Sequence, residues 1–173
     1  IDWLNLFISK TKFIVYIWFF NIWHNKTQLN PKKTVKMLSH KTKYALKALL
    51  YLAQQDEDHI SKTIDISEAA TIPKKFLEQI LLDLKRGHLV GSKQGKYGGY
   101  YLLKSKENIT MADIHRLFDG PIALLPCVSL NFYEPCADCK NESECLLRHG
   151  LMTVRDETLK AMEAITIASL IKK

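Results

Sequence analysis

The apolar positions after residue 37 fall into stretches of helical period. Ala45, Ala48, Leu49 and Leu52 follow the i, i+3, i+4, i+7 spacing of a core-facing helix, which predicts a helix from about residue 39 to residue 55. A shorter helix is predicted over residues 64–70, with Thr63 as its N-cap.

A longer amphipathic helix is predicted from Pro73, which suits a first helical position, to Arg86. Gly87 is predicted to end it as a C′ glycine, and Leu82 falls outside its apolar stripe. The residues of that stripe are Phe76, Leu77, Ile80, Leu81 and Leu84. The short helix, the tight break at Thr71–Pro73 and the longer helix together have helix-turn-helix spacing.

A β-hairpin is predicted after this helix. Residues 89–90 and 100–103 form two short apolar segments, and residues 92–99 between them are rich in Gly and Lys. The fold class is therefore predicted to be mainly α, a winged helix-turn-helix with a two-stranded β wing and a long C-terminal dimerisation helix.

The C-terminal part is predicted to be helical. Thr110 is predicted to cap a helix over 111–118, and Asn141 with Glu144 has the form of a capping box for a helix that reaches about Ala164. Because that helix is longer than a small winged domain can cover, its heptad-like seam is expected to pair with a second copy; the alternative is packing on its own domain. The predicted dimer-interface residues are Leu147, Leu151, Val154, Leu159 and Met162.

Residues 1–36 differ in composition from the rest of the chain. They hold all three tryptophans, and six lysines against one acid give +5 of the formal net charge of +7. We interpret them as a non-native or unstructured extension, with a signal peptide or a membrane-surface anchor as alternatives. The predicted domains are this extension, a winged helix DNA-binding domain over 37–105, and a linker helix, cysteine loop and dimerisation helix over 106–173.

Basic residues concentrate on the predicted DNA face. Residues 74–106 hold eight Lys and Arg against two acids. Side chains early in the longer helix can reach base edges, a Gln one turn on can pair with adenine, and the wing can contact phosphates. The predicted DNA-binding residues are Lys74, Lys75, Gln79, Lys93, Gln94 and Lys96; the alternative is a solvated basic face.

All four cysteines fall within 19 residues, spaced Cys127-x8-Cys136-x2-Cys139-x5-Cys145. Cys145 is predicted in the first turn of the long helix, where the helix dipole favours a thiolate. A four-cysteine zinc site, an iron–sulfur cluster and redox-active thiols all fit this spacing, and four unligated thiols stay as the plain alternative.

The chain resembles one family, the IscR/NsrR-type winged-helix transcription regulators of the Rrf2 family. The matching segments are residues 43–46, 72–81, 95–102 and 155–158. The resemblance implies a bacterial, cytoplasmic homodimer that binds double-stranded DNA and regulates transcription, with repression expected. It implies no enzymatic activity and no membrane partner.

The resemblance also implies a cofactor, because some members hold an iron–sulfur cluster on cysteines that precede the long helix. It favours a [2Fe–2S] centre on Cys136, Cys139 and Cys145, with Cys127 as fourth ligand, over zinc or no metal. The chain departs from the usual C-x5-C-x5-C spacing, since Tyr133 stands where the first cysteine is expected.

The fourth ligand of known members is also absent. Lys43 stands where nitric-oxide-sensing members have an acid, and Arg148 stands where cluster-assembly regulators have a His. Two alternative functions follow. One is a zinc-containing or metal-free winged-helix regulator that acts through a protein partner, and the other is a redox or electron-transfer protein.

Overall fold

The computed structural model describes residues 38–56 and 59–171, so the interpretation of residues 1–36 lies outside the described residues. Three single 3₁₀ turns lie at Lys106–Asn108, Pro126–Val128 and Glu142–Glu144. Within the described part, no helix is long and apolar enough to cross a membrane. The main elements in chain order are α1 (His40–Ala53), α2 (Thr63–Ala70), α3 (Lys74–Arg86), β1 (Val90–Lys93), β2 (Gly99–Leu102), α4 (Met111–Phe118), α5 (Leu146–Ala164) and α6 (Ile167–Ile171).

This order confirms the predicted mainly helical winged helix-turn-helix. We call residues 38–120 the winged domain and residues 121–164 the C-terminal arm. The winged domain encloses an aliphatic core to which each of α1–α4 contributes a fully buried side chain: Leu49, Ile66, Leu77 and Ile114. Burial of one such side chain stabilises the fold by about 1.5–3 kcal/mol.

The starts of α2 and α3 differ by one residue from the prediction. Thr63 is the first residue of α2 rather than its N-cap; Lys62 takes the cap position and makes no side-chain cap bond. Pro73 is the N-cap of α3, so Lys74 is the first helical residue. Both shifts have the same cause. The backbone of Lys62 and of Pro73 is extended, so each residue lies outside the helix that follows it, although its carbonyl accepts the first hydrogen bond of that helix.

A left-handed residue ends both helices of the helix-turn-helix. Thr71 after α2 has φ of 54° and His88 after α3 has φ of 56°. At the end of α3 the N–H of Leu89 donates to the carbonyl of Leu84 at 3.0 Å, which closes a Schellman turn. Side chains with a Cβ are disfavoured in this region, so both turns carry local strain.

Gly87 is therefore not the predicted C′ glycine. Its φ is −77°, a value open to any residue. A Cβ at this position would lie 2.8 Å from Cδ2 of Leu117. The glycine thus allows α4 to pack closely against the end of α3.

The wing is longer than predicted and gains a third segment. β1 and β2 are antiparallel, with Val90 opposite Leu102. Ser61 pairs with Tyr100 through two backbone hydrogen bonds of 2.8 and 2.9 Å. Gly99 lets this segment approach, because a Cβ there would collide with the Ser61 carbonyl.

The start of the long helix corrects two predictions. Asn141 caps the 3₁₀ turn at Glu142–Glu144 by accepting from the Ser143 N–H, so it is not the N-cap of α5. Cys145 takes that position, and its sulfur accepts the N–H of Arg148 at 3.4 Å. Cys145 therefore precedes the first turn.

The chain returns to the winged domain after α5. The N–H of Met111 donates to the carbonyl of Ile165 at 2.8 Å, and the N–H of Ile167 donates to Ile109 at 2.9 Å. Ile167 is buried in the same core as the helices of the winged domain. The end of α5 is thereby fixed to the DNA-binding unit.

Candidate DNA interface and cysteine turn

The exposed side of α3 is basic and polar. Leu77, Ile80, Leu81 and Leu84 are buried on the inner side. Lys75, Gln79 and Leu82 recur at i, i+4, i+7 on the outer side, and all three are exposed. All six predicted DNA-binding residues are exposed, and Lys74 and Lys75 lie in the first turn of α3.

Of the two acidic residues on α3, Glu78 is exposed and Asp83 is engaged by cations. Asp83 contacts Lys41 at 2.6 Å and Arg86 at 3.1 Å. The hydrogen bond from Lys41 lowers the pKa of Asp83, against an opposing effect of burial. Asp83 therefore stays ionised and paired, and it opposes an approaching phosphate less than a free carboxylate would.

The wing places Lys93, Gln94 and Lys96 around an exposed turn that Gly95 closes with φ of 106°. The ammonium of Lys85 on α3 donates to the hydroxyl of Ser92 on β1 at 2.7 Å. The wing and the recognition helix are thus joined on the side that presents the lysines.

The predicted dimer seam divides into two parts. Leu147 and Val154 lie seven residues apart on one side of α5 and are 63% and 46% exposed. Leu151, Leu159 and Met162 are half-buried within the protomer. Among residues 38–56 and 59–171, none covers the exposed parts of Leu147 and Val154 on this side of α5.

Two arginines of α5, whose contacts the sequence did not predict, hold the 3₁₀ turn Pro126–Val128 to that helix. We call this turn, which carries Cys127, the cysteine turn. Arg155, 9% exposed, donates from Nη1 to the carbonyl of Val128 at 2.7 Å and pairs with Asp156 at 2.7 Å. Arg148 donates from Nε to the carbonyl of Cys127 at 3.2 Å. The sequence did carry one signal for this role, because the two arginines lie seven residues apart on the helix that is predicted to dimerise.

The four cysteines have different environments, and none forms a disulfide. Cys127 is buried at 6% exposure, while the other three are half-exposed. The thiol of Cys136 donates to the carboxylate of Asp138 at 2.9 Å, and this bond raises the pKa of Cys136 to about 11.

The thiol of Cys139 donates to the carbonyl of Asn141 at 3.8 Å. Interaction with the Cys145 thiol raises the pKa of Cys139. The pKa of Cys145 is lowered, first by the backbone N–H of Arg148 and then by interaction with the thiol of Cys139. Cys145 is therefore the thiol of this pair that loses its proton more readily.

The chemistry of the cysteine side chains suits a metal that prefers sulfur ligands, since the three accessible thiols of Cys136, Cys139 and Cys145 lie within ten residues of chain. The arrangement does not close a site: among the described residues, no group of three or more His, Cys, Asp or Glu side chains is placed to hold a metal ion. The thiol of Cys136 would have to turn from Asp138 to join the Cys139–Cys145 pair.

Comparisons with known proteins agree on one class. A family model described as "Rrf2: Iron-dependent Transcriptional regulator" matches residues 38–173. An rrf2-like HTH-type transcriptional regulator from Rhodobacter capsulatus is 41% identical over 138 residues, which cover 78% of this chain and 92% of that protein. The HTH-type transcriptional regulator NsrR from Geobacillus kaustophilus is 27% identical over 78% of this chain and 89% of its own length.

A solved structure extends the likeness to three dimensions. The structure of CymR from Bacillus subtilis, described as its global cysteine regulator, superposes with a TM-score of 0.64 at 27% identity. The match covers 78% of this chain and 95% of that structure.

Proposed function

The chain belongs to the Rrf2 family of helix-turn-helix transcriptional regulators, and we propose that it is a homodimeric repressor whose DNA affinity responds to the state of its four cysteines. The similar proteins are regulators rather than enzymes, and regulators of this family bind DNA. The observation that carries the proposal is the exposed basic side of α3 beside a lysine-bearing wing. Such a protein acts where bacterial DNA lies, in the cytoplasm.

DNA recognition is divided between helix and wing. We assign Lys74, Lys75 and Gln79 to the major groove, where Lys pairs with guanine and Gln with adenine. We assign Lys93 and Lys96 on the wing to the backbone or the minor groove. An operator bound to the protein blocks the polymerase, which makes repression the default expectation.

The variant Lys75→Ala tests this division. If Lys75 reads a base, its loss weakens operator binding by about 1–3 kcal/mol and relaxes specificity at one position. Lys160→Ala, an exposed lysine on α5, is the matched control. Equal affinities of Lys75→Ala and wild type in a gel-shift titration would remove α3 as the reading element.

Homodimerisation follows from the uncovered side of α5. The helix has 19 residues and a length of about 28 Å, and its Leu147 and Val154 are exposed. A second α5 would bury them in a seam with heptad spacing. Two winged domains in one dimer match the two half-sites of a palindromic operator.

Cys136, Cys139 and Cys145 are the proposed ligands of an iron–sulfur centre, with Cys127 as fourth ligand. The thiol chemistry and the iron dependence in the family description support this assignment. Bound there, a cluster supplies a redox-active centre. The chain's own contribution is positional, because Arg148 and Arg155 hold the turn that carries Cys127 against α5.

Absorption spectra of protein prepared without oxygen, with iron and zinc assays, test the centre. If the protein is brown and Cys139→Ala abolishes the colour, the cluster is supported. If Cys127→Ser also loses the colour, Cys127 is supported as the fourth ligand. A colourless protein with about one zinc per chain refutes iron and keeps the site.

A metal-free protein would leave a second candidate, a thiol-regulated repressor. The effect that Cys139 and Cys145 have on each other's pKa favours it over four independent thiols. In that case Cys145→Ser would remove the response of DNA binding to oxidants.

A further inference from the structure

A cavity lies where the end of α1 meets the segment that follows β2. Its volume is about 300 Å³, near the lower end of the range for small-molecule sites. Its described lining contains none of the predicted DNA-binding residues and none of the four cysteines. We call it the α1 cavity.

The lining of the α1 cavity combines buried apolar side chains with exposed charged ones. Leu52 and Ala53 of α1 are buried and belong to the core of the winged domain, and Leu102 of β2 packs against that core. The titratable side chains of the described lining are those of Asp56, His59, Lys104, Lys106 and Glu107. This composition suits a small molecule that has an aliphatic part and charged groups.

Two of the charged side chains already have partners within the chain. The carboxylate of Glu107 accepts from the hydroxyl of Ser105 at 2.5 Å, and Nζ of Lys106 donates to the carbonyl of Ala53 at 3.5 Å. Among residues 38–56 and 59–171, no side chain pairs with Lys104 or with Asp56, and these two do not pair with each other. The cavity therefore presents one ammonium and one carboxylate on different parts of its lining.

We propose that the α1 cavity binds a free α-amino acid with an aliphatic side chain. The carboxylate of the ligand pairs with Lys104 and its ammonium pairs with Asp56. Its side chain lies against Leu52 and Leu102. The α1 side favours the ammonium further, because the C-terminal end of a helix attracts cations. A ligand with a single charge would leave one of the two charged side chains without a partner.

The α1 cavity also connects α1 to the base of the wing. Leu102 is the last residue of β2 and lies opposite Val90 of β1. The N–H of Leu103 donates to the carbonyl of Leu89 at 3.0 Å. A ligand that contacts both α1 and this segment therefore holds the base of the wing to α1. Its role as an effector of DNA affinity rests on the proposed function, and linkage requires the ligand and the operator to change each other's affinity by the same factor.

Isothermal titration calorimetry of the full chain with L-leucine tests the site. Two analogues separate the charges, since isopentylamine lacks the carboxylate and isocaproate lacks the ammonium. L-Leucine should bind, and each analogue should bind about tenfold more weakly or worse, because it loses one charged hydrogen bond. Equal binding of L-leucine and isocaproate would overturn the zwitterion assignment. Absence of binding by L-leucine, L-valine and L-methionine would refute the site.

The variants Lys104→Ala and Asp56→Asn test the two ends of the ligand. Each should weaken L-leucine binding about tenfold or more. Lys104→Ala should also lose the preference for L-leucine over isopentylamine and keep the preference over isocaproate, whereas Asp56→Asn should do the reverse. A purely structural role would not produce this exchange of preferences.

The matched controls are Lys160→Ala and Asp65→Asn, at exposed positions outside the cavity lining. Both should bind L-leucine as the wild type does, and circular dichroism establishes that each variant is folded. Wild-type affinity in both Lys104→Ala and Asp56→Asn would show that L-leucine binds elsewhere and would overturn the proposal.

Gel-shift titrations with and without saturating L-leucine separate the cavity from the function. L-Leucine should change the operator affinity of the wild type about fivefold or more and leave that of Lys104→Ala unchanged. If calorimetry shows binding and the operator affinity of the wild type stays the same, the effector role is wrong while the site and the proposed function stand. If the wild type binds no operator in either condition, the proposed function fails and calorimetry alone decides on the site.

Discussion

The winged domain and the C-terminal arm follow opposite packing rules. In the winged domain, helices α1–α4 each direct aliphatic side chains into one core. In the arm, the residue of α5 that is buried is a charged one, Arg155, while the apolar residues Leu124, Leu130 and Phe132 are exposed. The core of the first region is closed by α1–α4 together with Ile167 of α6.

The difference shows what each region is for. A closed core holds α3 and the wing in fixed relation, as reading DNA requires. An arm with uncovered apolar side chains is completed by another surface, and a second copy is the occupant we propose. The cysteine turn lies in the incomplete region and is tied to α5 through Arg148 and Arg155. In the proposed dimer, these contacts would carry a change at the cysteines to the interface.

A core deletion should show the largest effect. Leu81→Ala removes a fully buried side chain and is expected to lower the free energy of unfolding by about 2–5 kcal/mol. Leu124→Ala in the arm, where the side chain is 65% exposed, should change it by less than about 0.5 kcal/mol. Urea unfolding at one protein concentration measures both variants. Equal losses of unfolding free energy would contradict the difference in packing between the two regions.

Val154→Asp should break the dimer. An unpaired carboxylate in a buried seam costs on the order of 3 kcal/mol or more, a rise in the dimer Kd of over a hundredfold. Thr153→Asp adds the same charge to an adjacent exposed position of α5 and should keep the dimer. Sedimentation velocity distinguishes the two masses; an unaltered dimer in Val154→Asp would place the interface elsewhere.

Asp119, at the end of α4, joins that helix to the start of α1 within the winged domain. It accepts from the Thr42 hydroxyl at 2.7 Å and from the Ser39 N–H at 3.2 Å. Burial alone would raise the pKa of Asp119, but these hydrogen bonds outweigh it and lower the pKa. A lowered pKa in the folded state means that the stabilisation is present above the unfolded pKa near 3.9 and is lost as the pH falls through the folded value.

Asp119→Asn should therefore cost about 1–3 kcal/mol at pH 7 and flatten the loss of stability below about pH 4. Thermal unfolding from pH 3 to pH 7 measures both effects. Glu68→Gln, at an exposed position of α2, is the control for a lost charge. A variant with the wild-type pH profile would show that Asp119 does not couple α1 to the end of α4.

The smallest expected effect is a gain in stability. His88→Gly relieves the left-handed backbone at φ of 56° and should stabilise by about 0.5–1 kcal/mol, since part of the relief is offset by glycine's entropy. Gly87→Ala, one residue earlier, should instead destabilise because its Cβ would press on Leu117. Chemical denaturation that gave both changes the same sign would contradict this account of the turn.

The sequence predicted the helices and the wing, which depend on the periodicity within one element. It missed the contacts that depend on residues distant in the chain. The stripe from Ala45 to Leu52 and the Gly- and Lys-rich turn located α1 and the wing, because each pattern is set within one element. The left-handed residue was assigned to Gly87 because glycine favours that region, yet His88 adopts it and Leu117 explains the glycine.

The functional residues also divide into those that the sequence predicts and those that it does not. The exposure of Lys74, Lys75 and Gln79 follows from the periodicity of α3 alone. The roles of Arg148 and Arg155 do not, since their partners are carbonyls about 20 to 27 residues away. Asn141 was placed at the start of α5 from a local motif, but a 3₁₀ turn intervenes and Cys145 is the cap.

Selection of bound duplexes from a random pool tests most directly whether two closed winged domains are joined by a shared arm. The account predicts an inverted repeat with half-site centres about one helical turn apart, and two protomers per selected duplex in sedimentation equilibrium. Enrichment of a single unrepeated site bound by one protomer would contradict it, as would a pool in which no sequence is enriched.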